Sequence, residues 1–438
     1  MYIKSLEVFA ITVKFITLGC KTNLYESEAM AELFRNAGFQ ITKSKNADVC
    51  IINTCTVTGT GAQKSRQQIR RARRENPNSI IAVTGCLAQT DADTILKDTQ
   101  IDIIIGNKNR NRIVEFVEMA LKGDKINEIT DILKEKDFEE LAVTHGQSRV
   151  RANLKIEDGC NNFCTYCIIP YARGPVRSRD LAKIREEAEA LGKTGYGEVV
   201  LTGIHIGSYG RDLDNGTSLI DVIETVHECS GIERIRLGSL EPVVITEDFV
   251  KRIKTLPKVC PQFHMSLQSG CDETLKRMNR HYTTDEFKKA VELLRRNIPD
   301  TSITTDVMIG FAGETDEYFE KSYNFCKEIG FMQMHIFPYS IRKGTVAESY
   351  TDHVPENVKT LRAHRMLELA SDMKKDFYTK YIGKTLSVLT EQKKGNLYHG
   401  TTSNYMDVMI EDAENSVGKL IDVEIIDYCD EKLIAKKI

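Results

Sequence analysis

Between residues 14 and 107, short and nearly continuous apolar runs alternate with helical segments, and this alternation constrains the fold more than any other feature. The runs are KFITLGC (14–20), DVCIINTC (48–55), SIIAVTGC (79–86) and DIIIGN (102–107), with helices expected over 23–36 and 59–75. Strands buried on both faces read as unbroken β-branched runs, which indicates a parallel, Rossmann-like α/β sheet. From 151 to about 375 the alternation resumes at longer spacing. Strands are expected at 152–157, 198–206, 234–241, 262–269, 302–311 and 332–340, separated by helical segments such as 178–191, 284–296 and 315–329. Six βα units predict a partial TIM-type (βα)6 barrel with its site at the C-terminal strand ends. A long helix over 355–381 follows. The tail then changes to short alternating strands with Gly/Asn turns, as in a small OB-like β-barrel. The expected division is 14–126, a charged linker at 127–145, 146–376 and 377–438, with the first 13 or so residues a short extension.

Cys20, Cys55 and Cys86 each close one of the N-terminal strands. Ligand crevices of open parallel sheets lie outside those strand ends, so the three thiols are expected to converge. One such cysteine reads as a small buried hydrophobe; three at equivalent positions do not. Cys50, mid-strand, reads as core. A second trio, Cys160, Cys164 and Cys167, has C-x3-C-x2-C spacing just after the first barrel strand. Three is odd, so disulfides cannot satisfy them. The spacing suits zinc with a distant fourth ligand or an iron–sulfur cluster with one open iron. With 12 cysteines in a large chain and no export signal, metal use is favoured over disulfides. Cys229, Cys260, Cys271, Cys326 and Cys429 lack partner spacing and read as core or surface thiols. Gly203 with His205, Ser239 with Glu241, Gln268, Asp306 and His335 fall at later barrel strand ends, and as a set they would supply polar groups to the same mouth.

Sixty basic and 63 acidic residues leave a net charge of −3, so any nucleic-acid binding must come from local patches. One patch is the acid-free run Lys64, Arg66, Arg70, Arg71, Arg73 and Arg74, in which Arg66, Arg70 and Arg73 share a helix face. It reads either as a solvated face or as a phosphate-contacting stripe. No run of 18 apolar residues suggests a membrane span. The N-terminus carries Glu7 and Lys14 without a small-residue cleavage site, so no signal peptide is expected and the location expected is cytoplasmic.

The run GCNNFCTYCIIPYARG, with Tyr166 in the aromatic slot before the last cysteine, resembles the radical S-adenosylmethionine (SAM) superfamily and its methylthiotransferase branch. TLGCKTNLYESE, INTCTVTGTGAQKSRQ and VTGCLAQ resemble the N-terminal domain of that branch, and the tail resembles a TRAM domain. The resemblance covers residues 14–438. It implies two [4Fe–4S] clusters. Cys160, Cys164 and Cys167 would hold the one that chelates SAM, and Cys20, Cys55 and Cys86 an auxiliary one involved in sulfur delivery. It also implies SAM contacts from Tyr166, Gly203, Ser239, Glu241, Gln268 and Asp306. GFAGE (310–314) departs from the family's usual GFPGE, with Ala312 in the proline slot. RNA contacts would come from Arg66, Arg70, Arg73 and Tyr405, with Tyr398 and Tyr405 stacking on bases and His399, Thr402 and Asn404 near the same strand. Arg173, Arg177 and Arg179 would bind substrate phosphate or the SAM carboxylate, or pair with acids of the barrel wall.

The implied reaction replaces C–H by C–S–CH3 through a SAM-derived radical, with electrons from a donor the sequence does not identify. Three kinds of target occur in the branch. GCKTN, NTCTVT with AQKSRQ, and YARGPVRSR resemble the threonylcarbamoyl-adenosine enzymes. The expected substrate is therefore carbon 2 of N6-threonylcarbamoyladenosine at position 37 of tRNA, beside the anticodon, with no membrane partner. The alternatives are N6-isopentenyladenosine of tRNA, a ribosomal-protein aspartate, and a zinc-stabilised RNA-binding protein without catalysis.

Overall fold

Four parallel strands and two short edge strands make the first sheet. The computed structural model describes residues 11–143 and 150–438. In chain order they are β1 (Thr12–Thr17), α1 (Lys21–Asn36), β2 (Gln40–Ile41), β3 (Val49–Thr54), α2 (Gly59–Glu75), β4 (Ile80–Gly85), α3 (Cys86–Asp98), β5 (Ile103–Ile105), α4 (Ile113–Leu121) and β6 (Ile126–Glu128). The sheet order is β2-β1-β3-β4-β5-β6, all parallel. Alternate side chains feed two cores. Cys50, Ile52, Ile81 and Val83 pack with Ile69 of α2 and Leu87 and Ile95 of α3. Val49, Ile51, Ala82 and Ile103 pack with Met30 and Phe34 of α1 and Phe116 of α4. Both faces are covered, as the unbroken apolar runs require.

One expectation fails in this region. Residues 127–143 are not a tether. β6 extends the sheet as an edge strand, Leu141 and Val143 are buried with Tyr25, and Glu139 pairs with buried Arg110. The segment pairs through its backbone and only a few apolar side chains, so charge hid it in the sequence. Residues 144–149, and most of the expected N-terminal extension, lie outside the described residues.

By compactness the chain forms two units. The first takes the residues above together with Gly159–Asn161 and Ile168–Pro175, which include α5 (Ile169–Arg173). The second holds the remaining described residues from 150 onward. Its strands are β7 (Arg151–Lys155), β8 (Glu157–Asp158), β9 (Arg177–Ser178), β10 (Glu198–Thr202), β11 (Arg234–Leu237), β12 (Gln262–His264), β13 (Ser302–Ile309) and β14 (Gln333–Pro338). The parallel triplets β7-β10-β11 and β12-β13-β14 are joined by bridges from Ile235 to Val259 and from Leu240 to Met265. Six parallel strands thus follow chain order around an open arc, with β8 and β9 forming a small antiparallel ribbon. Several strands stop earlier than the apolar runs suggest. β10 ends at Thr202 before Gly203, and β12 is three residues long. Both give way to loops that carry polar groups.

A helix over Glu356–Thr379 leads to β15 (Thr385–Lys394), β16 (Leu397–Thr402), β17 (Asp407–Glu411), β18 (Leu420–Cys429) and β19 (Lys432–Lys437), which close as β15-β16-β17-β19-β18. This barrel belongs to the same unit as the arc, and buried arginines explain why. Glu198 is fully buried and accepts from Arg236 Nε at 2.9 Å, with Arg151 Nε at 3.1 Å. Arg236 also donates to the carbonyls of Thr402 and Ser403, at 3.3 and 3.1 Å, and lies over the Tyr405 ring. Arg234 donates to the carbonyls of Thr401 and Ser387. No described helix is long and apolar enough to cross a membrane.

These contacts correct the reading of the 398–405 strand as RNA-facing. Tyr398, His399, Thr402 and Asn404 are buried, Ser302 donates to the Asn404 carbonyl, and one face of Tyr405 is covered by Arg236. A polar strand edge looks the same in sequence whether water or a buried polar surface lies against it. Arg236→Met leaves Glu198 short of its main partner, and breaking a buried pair this way costs on the order of 3 kcal/mol. The expected result is a lower denaturation midpoint for the second unit and faster hydrogen exchange over 397–405, with exchange in β1 and β3–β5 unchanged.

Candidate functional site

The first unit gathers three thiols at strand-to-helix junctions. Cys20 is the N-cap of α1, Cys55 follows β3, and Cys86 is the first residue of α3. Asn23 donates to the carbonyls of Leu18 and Thr54, and Asn53 donates back to the Asn23 carbonyl, so the β1 and β3 ends are fixed to each other. Gly19 and Gly85 both have positive φ. A Cβ on Gly19 would sit 3.0 Å from Cys55 Cβ, and one on Gly85 would sit 2.4 Å from Asn53 Oδ1. Glycine there is what allows the three cysteines to approach. They are close enough to repel one another as anions. Burial pushes the Cys55 and Cys86 thiols up, and the Arg173 charge opposes it. Arg173 Nε lies 3.3 Å from Cys86 Sγ. Its guanidinium also binds Asn23 Oδ1 and Glu26, and Glu26 is shared with Arg110; all three charged groups are fully buried. None of the three cysteines is in a disulfide.

Within the C-x3-C-x2-C loop, Cys160 belongs to the first unit, where its amide donates to the Gly174 carbonyl at 3.0 Å. Cys164 and Cys167 belong to the second unit, where the Cys167 amide donates to the Cys164 carbonyl at 2.9 Å. Phe163 holds φ of 45° without being glycine, and Asn279 donates to its carbonyl. Such a left-handed residue beside metal-type ligands is stored strain of the kind found at functional sites. Tyr166 packs edge-on to Phe311 at 6.2 Å. Arg280, which no sequence pattern singles out, donates to Cys164 Sγ at 3.5 Å.

The other expected positions divide into committed and open groups. Glu241 accepts from Arg280 at 2.9 Å and Asn162 at 2.9 Å and lies 3.2 Å from His205 Nε2. Burial works against its charge, but the His205 and Arg280 contacts outweigh burial and draw the carboxyl down to about 2. Gln268 has φ of 63° and a buried Oε1 with no protein partner. Gly203 sits where a Cβ would strike Glu157 Oε2. Asp306 faces His264 at 3.3 Å. Ser239 is exposed on its loop.

The basic face expected to read phosphate is largely spoken for. Arg66 pairs with Asp91, Arg70 lies 3.6 Å from Asp98, and Arg73 binds Asp102 and the carbonyls of Gln100, Pro77 and Ser79. The acids lie on and just after α3, far enough along the chain to be invisible in a local charge count. Of the three, only Arg70 is mostly exposed. Arg173, Arg177 and Arg179 all pair with acids, but the acid of Arg173 is Glu26 on α1 and not one of the barrel wall. Arg173 binds Glu26, Arg177 lies 3.6 Å from Asp158, and Arg179 binds Glu187.

Comparison with known proteins decides the family. Residues 12–106 match "Uncharacterized protein family UPF0004" and residues 154–326 match the radical SAM superfamily. The chain is 42% identical over 424 residues to a threonylcarbamoyladenosine tRNA methylthiotransferase of Bacillus subtilis, covering 95% of this chain and 94% of that one. The chain belongs to the radical SAM tRNA methylthiotransferase family. A tRNA-2-methylthio-N(6)-dimethylallyladenosine synthase of Clostridium botulinum is 36% identical over 96% of each chain. Among solved structures, a radical SAM methyltransferase of Kitasatospora setae has a TM-score of 0.57 at 13% identity over 75% of each chain, a likeness of fold.

A radical SAM methylthiotransferase uses SAM and [4Fe–4S] chemistry, and the residues present fit it. Two trios of cysteines outside any disulfide are present, and each has a cation on one sulfur: Arg173 on Cys86, Arg280 on Cys164. Thiolates are the ligands such clusters take. Two measurements probe this geometry. Gly85→Ala forces Cys86 away from Asn53 and Thr54, and iron bound after anaerobic reconstitution is expected to fall by about half, one cluster of two. The second concerns Glu157, which accepts the amides of Ile204 and His205. Burial raises its carboxyl to about 8, well above its unfolded value. Protonation therefore favours the fold, and that contribution is full below about pH 4.5 and is lost as pH rises to about 8. Glu157→Gln keeps an acceptor oxygen without the proton equilibrium. Its stability relative to the native chain is expected to improve steadily from pH 5 to 8 in denaturation midpoints.

Proposed function

We propose that this chain methylthiolates carbon 2 of N6-threonylcarbamoyladenosine at position 37 of tRNA. The reading is carried by near-full-length likeness to proteins named as threonylcarbamoyladenosine tRNA methylthiotransferases, from Bacillus subtilis and, at 38% identity over 94% of this chain, Aquifex aeolicus. A dimethylallyladenosine enzyme is 36% identical over 96% of each chain, so the substituent on the base is what separates the two readings.

In this reading Cys160, Cys164 and Cys167 hold the cluster that binds SAM, and Cys20, Cys55 and Cys86 hold the auxiliary cluster. When bound, the clusters and SAM supply the electron, the radical and the sulfur of the methylthio group. The chain's own residues do the rest. Arg173 fixes the orientation of Cys86 and brings a compensating charge to a buried, anion-rich site. Arg280 does the same for Cys164 and ties it to Glu241. Gly203, packed closely against Glu157, and Gln268, with its buried acceptor, line the strand ends where SAM is expected. The Glu198–Arg236 floor closes the N-terminal end of the arc to water, which protects a radical from quenching. A tRNA substrate supports a cytoplasmic location for the enzyme.

Nucleoside mass spectrometry of tRNA from cells with and without the protein tests the substrate. Loss of the 2-methylthio-threonylcarbamoyl nucleoside with a rise of its unthiolated precursor is expected. Loss of the methylthio-isopentenyl nucleoside instead would overturn the substrate and keep the chemistry. Anaerobic protein should carry about eight irons, and Cys55→Ala or Cys164→Ala about four each.

A further inference from the structure

The fourth apolar run of the first unit ends differently from the other three. KFITLGC, DVCIINTC and SIIAVTGC close on cysteine, whereas DIIIGN (102–107) closes on Asn107. β5 runs parallel to β4, with Ala82 beside Ile103 and Val83 beside Ile104, so Asn107 arrives at the same end of the sheet as Cys86. It is 1% exposed. Its side-chain nitrogen donates to the Ala172 carbonyl at 2.8 Å and to Cys86 Sγ at 3.7 Å. The reading above leaves this asparagine without a task.

The neighbours of Asn107 decide its orientation. A guanidinium only donates, and Arg110 approaches Asn107 Oδ1 at 3.4 Å and the Asn107 carbonyl at 3.2 Å. The side-chain oxygen therefore faces Arg110, and both amide hydrogens are left for Ala172 and the sulfur. Arg110 is itself held by Glu26 at 2.7 Å and Glu139 at 2.6 Å. The Asn107 backbone amide donates to Gln89 Oε1 at 3.0 Å, and Gln89 Nε2 donates to the Thr130 carbonyl at 2.9 Å. Gly106 lets Gln89 come this near, since a Cβ there would sit 1.9 Å from Gln89 Oε1.

Cys86 is the buried member of its trio, and its sulfur receives two donors, Arg173 Nε at 3.3 Å and Asn107. Hydrogen bonds to the sulfurs are among the factors that set the potential of an iron–sulfur cluster, because an N–H dipole favours the more negative, reduced state. Arg173 is also committed to Glu26 and Asn23. Asn107 is neutral, so its dipole acts on the sulfur without altering the balance of the buried ion pairs. We propose that Asn107 is a positioning residue that acts through Cys86 and raises the reduction potential of the cluster held by Cys20, Cys55 and Cys86. This rests on the reading of that trio as the ligands of the auxiliary cluster.

The test uses the full-length chain with Cys164→Ala, reconstituted anaerobically so that the auxiliary cluster is observed alone. Its midpoint potential is measured with and without Asn107→Leu. Loss of one neutral hydrogen bond should shift the reduction equilibrium roughly 3- to 10-fold, a fall of about 30 to 60 mV for a one-electron couple. Asn107→Asp keeps the acceptor that faces Arg110 and has no N–H; it should lower the potential at least as far, and it serves if the leucine variant does not fold. In a Cys55→Ala chain, which keeps the other cluster, Asn107→Leu should leave the reduction equilibrium within about twofold. If the Cys164→Ala chain binds about four irons and neither Asn107 variant shifts the potential, the role given to Asn107 falls and the auxiliary cluster stands. An equal fall in both clusters overturns it as well, since that marks a general loosening of the fold. So does loss of iron from both variants, because Asn107 would then hold the cluster rather than tune it. If the Cys164→Ala chain binds no iron, the auxiliary-cluster reading falls and this inference falls with it.

Discussion

Glu198 has no access to water, and the second unit is built around that fact. A carboxylate in the interior persists only where cations and hydrogen bonds replace its lost hydration. Here Arg151, Arg234 and Arg236 surround it, and burial is outweighed so that its carboxyl stays below the usual range. Three guanidiniums have more donors than one carboxylate can take. The surplus goes to the carbonyls of Ser387, Thr401, Thr402 and Ser403. One buried charge therefore closes the floor of the arc and also fixes the small barrel to it. An apolar floor would seal as well, but it would not specify where β16 docks.

The same economy runs through the first unit. Arg173 is both an anchor for Glu26 and the nearest cation to Cys86, so the ion pairs that hold the fold also set the charge around the thiols. Loss of either partner would be felt in stability and in the charge around the thiols together, which is why the glycine before Cys86 is a cleaner probe of that site than the arginine.

Much of this was legible in the sequence because it depends on local pattern. Parallel strands buried on both faces leave apolar runs, and the apolar runs located β1, β3, β4 and β5 within a few residues. Strand ends in such sheets adjoin the crevice, and this placed Cys20, Cys55 and Cys86 together. The arginines were less legible. Arg66 and Arg73 form one face of a helix with no acid nearby in sequence, yet Asp91 and Asp102 meet them across the fold. Tyr398, His399 and Asn404 read as a wet strand and are buried, because carbonyls and arginines rather than water satisfy that edge. Arg280 and the pairing of His264 with Asp306 leave no trace in spacing at all. The His264–Asp306 pairing arises from strand register, and Arg280 reaches Cys164 from a loop more than a hundred residues on, so neither is specified by a single stretch of sequence.

The two cysteine trios also differ in when they can exist. Cys160, Cys164 and Cys167 lie within one short loop, so the donor set is complete as soon as that loop has been synthesised. Cys20, Cys55 and Cys86 are contributed by β1, β3 and β4 and meet only after those strands have paired. Synthesis runs from the N-terminus, so Cys20, Cys55 and Cys86 are made before Cys160, Cys164 and Cys167, yet they come together only through strand pairing. The trio made first thus depends on tertiary structure, and the trio made second on the local course of one loop.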